Sequence, residues 1–278
     1  MSSFDYGTIR ALLIDIDDTV VHFQPGVKTD NLFNMLESAG VELGNLTQEE
    51  TLRRIAQVKA EIPWWHWSDF IVALELNAKE FWHYALEREH RNMQTTGPEI
   101  KAALEHLREA GFRLYVTSNN PSSGILYKLS IAGLATIQGA PLFDQLLGAT
   151  ELHAMKWEPL YWKKVLAHIG LNAKEVAVVG DNPRDDLEVP QSIGISHTFL
   201  INRNSDFAGI DSSTVTHVDS FDRIVDCLVD SKIQTVSCAP GKSIAALSTI
   251  GSGRSDPDVS LAHVDQLACG RFHPTCAS

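Results

Sequence analysis

Basic residues are scarce in this chain: 23 Lys and Arg stand against 35 Asp and Glu, a formal net charge of -12 at pH 7. That balance disfavours nucleic-acid backbones and anionic membranes, so neither is expected as a partner. Long apolar runs are missing too. No stretch approaches the roughly 20 residues that a membrane-spanning helix needs, and the opening MSSFDYGTIR lacks the apolar segment of an export signal. The cytoplasm is therefore the default expectation. Cysteine is sparse, and Cys227, Cys238, Cys269 and Cys276 form no spacing that demands disulfides. Apolar sequence is plentiful, 44% of 278 residues, enough for one large or two smaller domains.

The most informative stretch is Arg10 to Val20. Ala11-Leu12-Leu13-Ile14 is continuously apolar, as expected of a parallel strand covered on both faces. It ends abruptly in Asp15-Ile16-Asp17-Asp18-Thr19. Carboxylates crowded at a buried strand exit lose water and repel one another unless a cation sits among them. Mg²⁺ suits such a place because it favours carboxylate and carbonyl oxygens. Asp15 and Asp17, two residues apart in extended chain, project the same way. They form a candidate pair of nucleophile and acid/base.

Three further segments follow in order. Leu114-Tyr115-Val116-Thr117-Ser118-Asn119-Asn120-Pro121 reads as a strand ending in hydroxyls and amides. Ala149 to Pro159 (ATELHAMKWEP) carries Lys156. Val176-Ala177-Val178-Val179-Gly180-Asp181 is a second buried strand ending in an acid, with Asp185-Asp186-Leu187 just beyond. Together with the DxDxT at Asp15, these segments resemble the four ordered motifs of the haloacid dehalogenase superfamily, over roughly residues 9 to 203. One departure is visible: the usual KPxP appears as Lys156-Trp157-Glu158-Pro159, with one proline lost.

The resemblance implies roles. Asp15 would attack phosphorus and form an aspartyl-phosphate; Asp17 would act as general acid, then as general base, and give its main-chain carbonyl to the metal. Mg²⁺ would be held by Asp15, Asp17, Asp181 and Asp186. Spacing favours Asp186 over Asp185 as the second acid, either ligating through water or fixing Lys156. Lys156, Ser118 and Asn119 would hold the substrate phosphate, with Thr117 the alternative to Ser118. The acid at Asp17 separates this chain from the dehalogenase branch and aligns it with the phosphate-transferring ones.

Alternating segments complete the expectation. Strands are expected at Arg10–Asp15, Phe112–Ser118, near Leu146, at Val176–Gly180 and at His197–Ile201. Helices are expected at Glu99–Ala110 (stopped by Gly111), Ser123–Ala132, Pro159–Ile169, Asp186–Ile193 and Asp222–Val229. That order indicates an α/β doubly wound parallel sheet, with ligands bound beyond the carboxyl ends of its strands. The catalytic core would span residues 1–20 and 97–230. Between them, 21–96 carries helical patterns at Asn31–Ala39, Glu49–Ala60, Asp69–Leu76 and Ala78–Arg91, resembling the family's helical cap. Such a cap suits a small phosphorylated metabolite.

Trp64, Trp65, Trp67 and Trp82 cluster in that insertion, with His66 among them. Packing the helices is their first expected role and stacking on substrate the second. Residues 231–278 are rich in Ser, Gly and Pro and read as a linker-like or disordered tail. Cys269, His273 and Cys276 complete no zinc pattern, and Pro240-Gly241-Lys242-Ser243 lacks the first glycine of a P-loop. The leading expectation is a Mg²⁺-dependent phosphatase. A phosphomutase of the same superfamily and a catalytically weak binding protein are the alternatives.

Overall fold

The computed structural model describes residues 6–23, 32–62, 67–94, 96–136, 138–201 and 215–237. In chain order the strands are β1 (Ala11–Ile14), β2 (His22–Phe23), β3 (Met93–Gln94), β4 (Arg113–Ser118), β5 (Gln145–Gly148), β6 (Val176–Gly180), β7 (Thr198–Ile201) and β8 (Val215–Val218). Six of them form one sheet in the order β5-β4-β1-β6-β7-β8, every neighbouring pair parallel. This is the α/β parallel-sheet fold expected from the alternating pattern.

β1 lies at the centre, so both its faces are covered. Leu12 and Ile14 pack on one side with Leu114, Val116, Ala177 and Val179. Ala11 and Leu13 pack on the other with Tyr115, Val176, Val178 and Trp162. Each Leu or Ile buried this way contributes about 1.5–3 kcal/mol. The apolar run before Asp15 is thus explained by its place between β4 and β6.

The helices are α1 (Leu32–Glu42), α2 (Gln48–Glu61), α3 (Trp67–Ala73), α4 (Ala78–Asn92), α5 (Pro98–Glu109), α6 (Ser122–Ile131), α7 (Ala149–Leu152), α8 (Pro159–Ile169), α9 (Val189–Ser192) and α10 (Phe221–Ser237). α1 to α4 occupy the insertion and share an apolar cluster of their own, including Leu36, Ile55, Phe70 and Phe81. Capping sets two of their starts: Thr47 Oγ1 accepts from Glu50 N, and Asn77 Oδ1 from Lys79 N and Glu80 N. The chain leaves for and returns from these helices through β2 and β3, a short antiparallel pair. Thr96 then donates its hydroxyl to Val20 O at 2.9 Å, fastening the return to the exit.

Four local features differ from the sequence expectations. β8 was not anticipated, because Val215-Thr216-His217-Val218 is a brief edge strand with little apolar signal. α10 continues past Val229 to Ser237, into the segment read as tail. α3 ends at Ala73 rather than Leu76, where Glu75 takes a positive φ of 56°. The helix expected at Asp186–Ile193 begins earlier, as a wide π-helical turn over Pro183–Glu188 that runs into α9. Asn182 causes the early start: its Oδ1 accepts from Arg184 N and Asp185 N, capping the turn with Pro183 in its first position. Trp64, Trp65 and His66, together with Pro240–Ser243, Cys269, His273 and Cys276, lie outside the described residues.

Candidate active site

The strand ladder carries Asp15 one step beyond β1, since Asp15 N donates to Val179 O at 2.8 Å. The chain then folds back tightly. Val20 N and Val21 N both donate to Ile16 O (3.0 and 2.8 Å), and Asp18 turns the corner at φ 53°. Aspartate tolerates this left-handed conformation better than most residues do. β4 and β6 flank β1, so their ends bring Ser118 and Asp181 to either side of Asp15. A cavity of about 380 Å³ opens there, lined by Asp15, Asp17, Ser118, Lys156, Asp181 and Asp186 among others.

Lys156 is the cation at the centre of this group. Its Nζ lies 2.6 Å from Oδ1 of Asp15 and 2.6 Å from Oδ1 of Asp186, and the residue is only 2% exposed. Its backbone is pinned on both sides: Lys156 N donates to Asn119 Oδ1 at 2.7 Å, and Trp162 Nε1 donates to Lys156 O at 2.8 Å. Burial pulls its pKa down, but Asp15 and Asp186 outweigh burial and hold it above the usual lysine value.

Asp186 is fully buried, and its Oδ2 accepts from Asn182 N at 3.1 Å. It packs directly over Gly180, where any Cβ would collide with its carboxyl group. Glycine at the end of β6 is therefore a requirement of this close approach.

Carboxylate oxygens of Asp15, Asp181 and Asp186 all come within 4.8 Å of one another. Burial, followed by repulsion from Asp186 and Asp18, pushes the Asp181 carboxyl up to about 7. Asp15 is raised well above the ordinary carboxylate range; burial is the main cause, and Asp186, Asp181 and Asp17 add to it against the attraction of Lys156. One ammonium does not neutralise three acids. A divalent cation fits the remainder, and an all-oxygen donor set suits a hard ion. Asp185 lies outside the trio; its Oδ2 accepts from Asn119 Nδ2 at 3.2 Å.

Asp17 is tethered differently. Its Oδ1 and Oδ2 lie 2.9 and 3.1 Å from Lys128 Nζ, and Oδ2 also accepts from Asn120 Nδ2 at 2.8 Å. Its carboxylate is not part of the acidic trio. Ser118 lines the cavity, and its Oγ accepts from both Asn120 N (3.1 Å) and Asn120 Nδ2 (3.0 Å). Thr117, next along the strand, is buried and does not line the cavity. The Asn119 side chain lines it, while its amide holds Asp185 and Lys156 N.

Four contributors went unnoticed in the sequence: Asn120, Lys128, Tyr161 and Trp162. Tyr161 Oη donates to Leu147 O at 2.6 Å and accepts from Ser118 N at 2.9 Å, tying β4 to β5 beneath the site. Lys128 did leave a signal. It is a lone lysine on the buried face of α6, beside Ile125 and Leu129. Trp67 meets Trp82 edge-on, ring centroids 6.0 Å apart, the packing role expected of the tryptophan cluster, and it also lines the cavity with Phe33 and Trp157.

The family model of haloacid dehalogenase-like hydrolases matches residues 9–194, from just before β1 to just beyond α9. The chain belongs to that family. Within the hydrolase family, a phosphoglycolate phosphatase of Cereibacter sphaeroides is 26% identical over 182 residues, 63% of this chain and 77% of its own length. A haloacid dehalogenase-family phosphatase from Thermococcus onnurineus has a TM-score of 0.56 at 24% identity, covering 79% of this chain and 98% of that one. A 2-haloacid dehalogenase from Pseudomonas syringae pv. Tomato DC3000 has a TM-score of 0.59 at 21% identity, covering 80% and 99%. These two solved structures bear on the fold of this hydrolase and not on its substrate.

Proposed function

We propose that this hydrolase is a Mg²⁺-dependent phosphatase that removes phosphate from a small phosphorylated metabolite through an aspartyl-phosphate on Asp15. The observation that carries the reading is the meeting of Asp15 with Lys156 at 2.6 Å, inside a trio of carboxylates and at the lip of a parallel sheet. The relationship to phosphoglycolate phosphatases supports a phosphate ester as substrate, and the presence of Asp17 supports a proton transfer partner beside the nucleophile.

In this reading the Asp15 carboxylate attacks phosphorus as the bond to the leaving oxygen breaks, and Asp17 gives its proton to that oxygen. Asp17, now a carboxylate, takes a proton from water as the water attacks the acyl phosphate. Phosphate leaves and the Asp15 carboxylate is restored. Lys156 lies against Asp15 and offers positive charge to the phosphoryl oxygens, and Ser118 Oγ–H donates to another. Asp15, Asp181, Asp186 and the Asp17 carbonyl would hold Mg²⁺, which when bound offsets repulsion between the anionic nucleophile and the anionic phosphate. The helices α1 to α4 act as a cap: Phe33 and Trp67 face the cavity from them and keep water from the leaving group.

The experiment is phosphate release from a panel of phosphorylated metabolites, phosphoglycolate included, with Mg²⁺ or with EDTA, run beside Asp15→Asn. Release that needs Mg²⁺ and disappears in the variant supports the reading. Release that survives the substitution overturns Asp15 as nucleophile, and no release from any ester overturns the phosphatase assignment.

A further inference from the structure

Lys128 is 3% exposed, and its ammonium joins two acids from different parts of the chain. One is Asp17, in the loop after β1, at 2.9 Å. The other is Glu89, on α4 of the helical insertion, at 2.9 Å. Lys128 itself sits on α6, the helix that follows the Ser118 strand. A single cation therefore spans core, catalytic loop and insertion. A buried ammonium is costly unless compensated on this scale. Here burial lowers its pKa and the two carboxylates more than reverse that. Asn120 completes the arrangement by donating to the same Oδ2 of Asp17 that Lys128 approaches at 3.1 Å.

We propose that Lys128 is a positioning residue that aligns the Asp17 carboxyl for proton transfer, and that Glu89 makes this alignment depend on the docked position of α4. The inference rests on the reading of Asp17 as acid and base given above. Lys128 touches neither phosphorus nor the attacking oxygen. It fixes where the Asp17 oxygens stand, and the helical layer holds it there from the far side. Withdrawal of α4 removes one of the two carboxylates that anchor the ammonium. Closure over a substrate and alignment of the acid then become one event.

The test compares two esters, because proton donation matters only where the leaving group is poor. An alkyl phosphate needs its alkoxide protonated; an aryl phosphate such as p-nitrophenyl phosphate expels a stable phenolate unaided. The quantity to measure is kcat/KM, which covers binding and the first P–O cleavage. Lys128→Met is expected to lose about 10²-fold on the alkyl ester and under about threefold on the aryl ester, within the range of general acid catalysis. Lys128→Arg, which keeps the charge, is expected to restore most of the alkyl rate. Glu89→Gln removes the charge by which α4 holds Lys128 and is expected to lose rate on the alkyl ester in preference to the aryl ester, by less than Lys128→Met does. Thermal melting of each variant separates unfolding from misalignment, and Lys128→Arg carries the test if Lys128→Met does not fold. Equal losses on both esters, or an arginine variant as impaired on the alkyl ester as the methionine one, would overturn the proposal while leaving the phosphatase reading intact. A Glu89→Gln protein with no loss, or with equal losses on the two esters, would overturn the part assigned to α4. Wild-type protein inert toward both esters would overturn the phosphatase reading, and this inference with it.

Discussion

Lys156 Nζ and Asp15 Oδ1 stand 2.6 Å apart although 141 residues separate them in the chain. The sheet order explains the meeting. β1 lies next to β4, and the loop leading to Lys156 is latched onto the end of β4 by Asn119. Lys156 also reaches Asp186, so a nucleophile candidate and a cation-site acid share one ammonium.

Removing that ammonium leaves two buried carboxylates without their partner. Lys156→Met is expected to abolish phosphate release and to lower folding stability by about 3–5 kcal/mol, the usual cost of breaking a buried pair. Urea denaturation in EDTA measures the second effect. Mg²⁺ is expected to recover part of the lost stability and none of the activity.

Asp181, as a ligand, is expected to set a pH window for metal binding. Its carboxyl is raised from 3.8 to about 7 in the folded protein, so the proton it binds stabilises the metal-free fold. That contribution is complete below the unfolded value and is lost as pH rises through about 7. Mg²⁺ must displace the proton, so the gain in Tm from Mg²⁺ over EDTA is expected to be larger at about pH 8 than at about pH 5.5. Thermal scans at both values check this; an equal gain would show that Asp181 is not a ligand.

Gly180→Ala introduces a methyl group where the Asp186 carboxyl already sits. Overpacking of this kind costs about 1–3 kcal/mol. The variant is expected to fold with reduced stability, to bind Mg²⁺ more weakly by calorimetry and to lose activity through displacement of Asp186. Unchanged Mg²⁺ affinity would show that Asp186 takes no part in the cation site.

Tyr161→Phe deletes one hydroxyl that serves both Ser118 N and Leu147 O. Two buried backbone groups lose a partner, at about 1–3 kcal/mol each. Urea denaturation is expected to show that loss, and KM to rise as the Ser118 backbone loosens.

The sheet and the acidic residues were legible because each leaves a local mark. Central strands covered on both faces read as unbroken apolar runs; Asp15 and Asp181 stand immediately after β1 and β6, and Ser118 closes β4. The four insertion helices were legible from their amphipathic spacing, with ends displaced by no more than three residues. The features that were not legible depend on partners distant in sequence. Lys128 reads as one lysine in an apolar helix until Asp17 and Glu89 arrive from 111 residues away and from α4. Tyr161 and Trp162 read as core aromatics, and their polar ends acquire meaning only beside Ser118 and Lys156. β8 leaves little mark because an edge strand of four residues needs little apolar sequence. The early turn at Pro183 leaves its mark only in the Asn182 cap, while the apolar spacing marks the helix that follows it.

The most direct test of the central claim is to stop turnover midway and ask what Asp15 carries. Borohydride reduces an acyl phosphate to an alcohol, so a phosphorylated aspartate is recovered as homoserine in the peptide containing β1. Conversion of Asp15 to homoserine, dependent on substrate and Mg²⁺, is the expected result. Steady phosphate release with Asp15 recovered only as aspartate would contradict a covalent mechanism at this residue.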